Sequence, residues 1–206
     1  DTTESRLPTA LRGAAETLRL RGFTEADVQA FFEALFGAVP GVAKLAKAAG
    51  APDRTWRAYL SQTASGSTAA VNARDRIGAG PWYNAKGAII AQNVADLHGD
   101  VQRDRNSINK EFALTEKGMP TNGRGDTPNE HDILTGSQAD GRAIPGDKDM
   151  TCGSWTKSGE GSAIVGHHDL TGLKDTRHQK SWNSSHGSRG CSQDNLKSSG
   201  GAGLFY

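Results

Sequence analysis

Histidines, carboxylates and arginines gather in a few short stretches of this chain. In GHHD, His167, His168 and Asp169 stand side by side, and these are residue types that hold a transition metal through imidazole nitrogen and carboxylate oxygen. Adjacent side chains on a strand point to opposite faces, so one of the two histidines would join Asp169 and a distant His131, His178 or His186 in a zinc site. No His-x-x-x-His or His-Glu-x-x-His spacing accompanies them. The plainer alternative is a buried histidine packed on Trp155 or Trp182 and bonded to a loop carbonyl. NARDRIGAGPWYN joins Arg74, Asp75 and Arg76 to Trp82 and Tyr83. Aromatic rings stack on sugars and arginine forks bond polar groups, so Arg74 and Trp82 suit a ligand platform. The same residues equally suit a loop pinned by Asp75 between two arginines. GRGD, Gly123 to Asp126, carries an Arg-Gly-Asp tripeptide, but Asp126 and Thr127 before Pro128 also make an ordinary Asx-type turn. For catalysis there is no Gly-x-Ser-x-Gly elbow and no convincing carboxylate pair. The expectation is a protein that is not an enzyme, and the competing reading is a metal-dependent hydrolase built on the His/Asp loops.

The elements that would position these residues are short. The chain has 206 residues, room for one ordinary domain with a small attachment. Apolar residues make up only 35 % and there are 26 glycines, which implies a modest core and long loops. A net charge of +1 gives no electrostatic footing for nucleic acid or an anionic membrane. No apolar run reaches the roughly 20 residues that a membrane-spanning helix needs. The sequence opens on Asp1, which fits a mature product with a leader removed. Residues 1–39 read as a helical hairpin. Leu7, Leu11, Ala14, Ala15 and Leu18 form one stripe ended by Gly22, and Thr24 caps a second helix bearing Val28, Phe31, Phe32, Leu35 and Phe36. Phe31, Phe32 and Phe36 need a surface to cover them, either the chain's own domain or another subunit. A third short helix follows at Val42–Ala49, and TWRAYLS alternates like a strand with one buried face. Short strands are expected around Ala88–Ala91, in TCGSWTK, in SAIVGHH and at the end in AGLFY, with a short helix near Val94–Val101. The stretch from Pro120 to Asp149 has almost no periodicity, and so long a loop in a compact domain is commonly functional. Cys152 and Cys191 lie in Gly/Ser-rich sequence, where two free thiols or one bridge are the alternatives. A bridge would close a loop of about 40 residues, contribute roughly 4 kcal/mol and point to an oxidising compartment.

The order Gln138-x-Asp140, Cys152, Trp182-Asn183, Cys191 and an apolar last strand resembles that of the C-type lectin-like fold. AGAPDRTWRAYLS and TCGSWTKSG are similar to segments of endostatin, the collagen-derived branch of that fold. VNARDRIGAGPWYNAKG, NGRGDTPNEHDILTGSQADG, GSAIVGHHD and SWNSSHGSRGCSQ resemble a bacterial group of secreted endostatin/lectin-like domains. The resemblance spans roughly Val42 to Tyr206. It implies an α+β domain over residues 40–206, with small antiparallel sheets, two helices and long loops, and it favours a Cys152–Cys191 disulfide. It also implies a second bridge, yet Val42 or Ala43 stands where one cysteine is expected and the sequence stops at GLFY where its partner would follow.

The same resemblance places a calcium-dependent sugar site at Gln138, Asp140 and Asn183, whose oxygens suit that ion. Two positions depart from the pattern. Ser184 replaces the carboxylate expected after Trp182-Asn183, and Ala139 replaces the proline expected between Gln138 and Asp140. The main expectation is therefore a non-catalytic extracellular, periplasmic or cell-surface binding or assembly domain. Its loops, with Gln138, Asp140, Trp182, Asn183, Arg74 and Trp82, would meet a protein, matrix component or glycan. No cofactor is required, and calcium or zinc is the ion to test. A calcium-dependent lectin is one alternative. Another is a structural subunit docked through the N-terminal helices onto a second copy or a larger complex.

Overall fold

The computed structural model describes residues 57–99 and 106–206. The chain divides between Ala58 and Tyr59, and the description concerns the unit Tyr59–Tyr206. The expected hairpin, its Phe31, Phe32 and Phe36, and the 39/40 boundary lie outside the described residues.

The unit is mixed α+β. In chain order it contains α1 (Ala73–Arg76), β1 (Trp82–Tyr83), β2 (Ile89–Ala91), α2 (Val94–His98), β3 (Asp132–Leu134), β4 (Ile164–His167), β5 (His186–Gly187), α3 (Gln193–Ser199) and β6 (Gly201–Phe205). β1 and β2 form a small antiparallel ribbon. The main sheet has the order β5-β4-β3-β6, with β3 antiparallel to β4 and parallel to β6. The short helices are made by their ends rather than by an apolar face. Asn93 caps α2 by accepting from Asp96 N–H, and Gly99 ends it. Ser192 caps α3 in the same way through Asn195 N–H, and Gly200 closes it in the left-handed conformation at φ 110°.

Two apolar clusters hold the unit. The larger joins Tyr59, Leu97, Ile108 and Trp182, with Trp82 and Tyr206 packed against it. The smaller surrounds the Cys152–Cys191 disulfide with Ala163, Leu134 and Trp155.

Two expected strands are absent among the described residues. At Tyr59–Leu60 both residues are buried, so neither face of the segment is open to solvent. Its amides bond irregularly to two different partners, Tyr59 N–H to Tyr206 O at 2.7 Å and Ser61 N–H to Thr135 O at 2.9 Å. TCGSWTK is not extended either. Cys152, Gly153, Ser154 and Trp155 all take positive φ, from 49° to 69°, and make one left-handed turn. Each non-glycine residue there costs about 1–2 kcal/mol. The turn is held by Asp149, which accepts from Gly153 N–H at 2.6 Å and Thr151 N–H at 3.0 Å, and by the Trp155 indole donating to Ser61 O at 2.8 Å.

Candidate functional site

Strand register places the chemistry. Asp132 on β3 lies directly opposite His167 on β4, and His186 on β5 is paired with Val165. Residues two apart on a strand share a face, so Asp132, His167 and His186 project from the same side of the sheet. His131, just before β3, stacks on His167 with ring centroids 4.2 Å apart.

Asp132 Oδ1 is the centre of this group. It lies 3.1 Å from His131 Nε2, 3.3 Å from His167 Nε2 and 3.6 Å from His186 Nε2. His167 Nε2 and His186 Nε2 are 3.0 Å apart. Asp132 is 2 % exposed, yet neither of its carboxylate oxygens receives a directed hydrogen bond. Proximity and hydrogen bonding differ here because an ion pair needs only a short separation, whereas a hydrogen bond needs a proton aimed along it.

The outer nitrogens are fixed by their partners. His167 Nδ1 donates to Gln179 O at 2.6 Å, and His131 Nδ1 lies 3.4 Å from Asp169 Oδ1. Asp169 in turn accepts from Arg124 N–H at 2.6 Å and Thr171 N–H at 3.1 Å. Burial opposes ionisation of Asp169, but these donors outweigh it and hold the carboxyl well below the usual carboxylate range. At His167, burial disfavours charge; the adjacent Asp132 and the backbone of Gln179 and Thr171 overcome it, and its pKa is raised.

Above the cluster opens a cavity of about 180 Å³, lined by Arg124, Asn129, His131, His167, Gln179 and His186, with Leu173 at its edge. Arg124 and Leu173 are exposed, and the Arg124 guanidinium has no ion pair among the described residues.

The residues expected to bind metal separate. His167 belongs to the cluster. His168 lies in the turn just past β4 and is bonded elsewhere, its Nε2 3.0 Å from Asn122 O. Asp169 stands behind His131 rather than beside the other nitrogens. His178 is exposed and apart from the group. Asp132 was not singled out from the sequence. Its signal is an acidic residue opening an apolar strand, HDIL, where burial demands a partner.

The residues expected to bind a sugar do come together, but their polar groups are engaged within the fold. Asn183 is 1 % exposed, and its Nδ2 donates to Tyr59 Oη at 2.9 Å and Ala139 O at 3.1 Å. Gln138 Nε2 donates to Ala143 O, Arg74 Nη1 to Asp140 O, and Trp82 Nε1 to Ile77 O. Asp140 pairs with Arg142. Trp182 is buried in the larger cluster, 1 % exposed. Behind them runs a directed series of bonds. Asn183 donates to Tyr59 Oη, the Tyr59 hydroxyl donates to His98 Nε2 at 2.7 Å, and His98 Nδ1–H donates to Val94 O at 2.9 Å. Gly141 sits over this series at φ 81°, and a side chain there would strike His98 and Tyr59.

Comparison with family models, curated proteins and solved structures gave no match. Among the described residues no helix is long and apolar enough to cross a membrane.

Proposed function

We propose that residues 59–206 form a non-catalytic binding domain of an oxidising, extracytoplasmic compartment, whose ligand enters the histidine-floored cavity. The observation that carries this reading is the exposed Arg124 guanidinium at the cavity, which has no ion pair among the described residues. Asn183, Gln138, Arg74 and Trp82 are spent on the fold, while the cavity presents the unpaired Arg124 guanidinium beside Asn129, Gln179 and His186. Amides and imidazoles suit hydroxyls, and a guanidinium suits a carboxylate. The ligand class is therefore an acidic glycan, or a protein loop offering the same groups. The disulfide supports the compartment. The resemblance to C-type lectin-like and endostatin-like domains agrees with the α+β architecture and long loops, although a fold by itself names no ligand.

The test is retention of the oxidised chain on an array of neutral and uronate-bearing glycans and on matrix proteins. Retention by an acidic class is expected, weakened at least tenfold by Arg124→Glu or Leu173→Asp at the exposed rim. Absence of retention, or retention indifferent to both variants, sinks the reading. The cluster of His131, Asp132 and His167 favours one rival, a metal-dependent hydrolase. Metal-dependent product release from ester, peptide or glycoside substrates would establish that rival instead.

A further inference from the structure

The cavity floor carries an arrangement that ordinary hydrogen bonding leaves unsatisfied. Gln179 O can only accept, so the proton of neutral His167 sits on Nδ1 and its Nε2 carries a lone pair. His186 Nδ1 lies 3.1 Å from Gly187 O, which leaves a lone pair on its Nε2 by the same argument. These two lone pairs face each other across 3.0 Å, and both approach Asp132 Oδ1. His131 Nε2 reaches the same oxygen from the other side. Electron-rich atoms this close, around a buried carboxylate with no directed proton, repel one another unless a cation lies among them, either a metal ion or a second proton on the His167 ring.

We propose that His131, Asp132 and His167 form a transition-metal site, and that zinc is the ion it takes. Zinc bonds nitrogen and oxygen at about 2.0–2.2 Å, so neighbouring ligands of a tetrahedral site stand about 3.3 Å apart. His131 Nε2 and His167 Nε2 stand 3.1 and 3.3 Å from Asp132 Oδ1. The ligating atoms of His131, Asp132 and His167 all lie within 4.8 Å of one another, and all three residues are buried. Metal-bound histidines habitually donate their other nitrogen to a carboxylate or carbonyl, which fixes tautomer and ring direction. Asp169 stands in that position behind His131 and Gln179 O behind His167. Calcium does not suit the set, since it demands six to eight oxygens and two of these three ligands are nitrogen. His186, partly exposed at the cavity, stands beside the site, its Nε2 3.6 Å from Asp132 Oδ1 and 3.0 Å from His167 Nε2.

The inference does not depend on what the cavity binds. A chain that takes zinc yet retains no glycan or protein overturns the binding reading alone, and the reverse result overturns this one alone. The experiment titrates the oxidised full chain, stripped with chelator, with Zn²⁺ by calorimetry. In parallel Co²⁺ is followed by visible absorption, because tetrahedral Co²⁺ absorbs far more strongly than the hydrated ion. One ion per chain is expected. Affinity should fall at least 100-fold in Asp132→Asn and His167→Gln, and it should be unchanged in His178→Ala. Asp132 and His167 are buried, and their variants risk misfolding. Imidazole nitrogen NMR of the unsubstituted chain is therefore the second measurement: on adding Zn²⁺ the Nε2 signals of His131 and His167 should move, and those of His98 and His178 should not. No stoichiometric uptake, or weak uptake removed by His178→Ala, overturns the site. So do Nε2 signals that stay in place while a shared proton occupies the cluster.

Discussion

At the scale of single residues, Asn183 shows how a position in a ligand motif can be taken over by the fold. Its amide supports Tyr59, Gln138 and Ala139, groups from two separate loops. Asn183→Ala leaves buried acceptors without donors, so a loss of about 3 kcal/mol or more is expected in chemical denaturation, and added calcium should not restore it. His98 sets a pH dependence. Burial lowers its pKa, against a smaller opposing contribution from Val94 O, so it is neutral in the folded chain. A base with a depressed folded pKa contributes stability above its unfolded pKa, about 6.5, and that contribution is lost as pH falls through the folded value. Protonation would also set an Nε2–H against the Tyr59 hydroxyl that now donates to it. Stability should therefore decline below about pH 6.5, and in His98→Leu that part of the slope should vanish although the variant is less stable throughout.

At the scale of elements, β4 depends on Gly166. The Trp182–Asn183 backbone crosses it so closely that a Cβ would overlap Trp182 O. Gly166→Ala is expected to abolish cooperative thermal unfolding, whereas Gly159→Ala, with open space around it, should retain it. The sequence announced β2, β4, β6 and α2 because Ile89-Ile90, Ile164-Val165, Leu204-Phe205 and the turn residues around Val94–His98 carry local signals. It did not announce α3, whose seven residues include Leu196 as their only large apolar side chain, so no periodicity marks it. The left-handed turn at Cys152–Trp155 stands where a strand is expected, and within it only Gly153 is a residue type that favours positive φ. The cluster was half legible. His167, His131 and His186 were named from residue type, but bringing them to Asp132 required the registers of β3, β4 and β5, which no spacing in the chain encodes.

At the scale of the whole unit, little regular structure supports many loops, and the disulfide matters in proportion. Cys152 and Cys191 are 39 residues apart. Reduction should lower stability by about 4 kcal/mol, seen as a shift in denaturation midpoint with and without reductant. The remaining brace is the meeting of Tyr59, Asn183, Trp155 and Ser61 across the core. Asn183 and Tyr59 are 124 residues apart in the chain, and Trp155 and Ser61 are 94 apart. Such a meeting has a consequence in time. These contacts give nothing back until distant parts of the chain have found one another, so the search precedes the reward. Refolding with the bridge intact should be slow for a unit of this size, in milliseconds to seconds rather than microseconds. In stopped-flow fluorescence, Trp182 should reach its native signal only in the last phase.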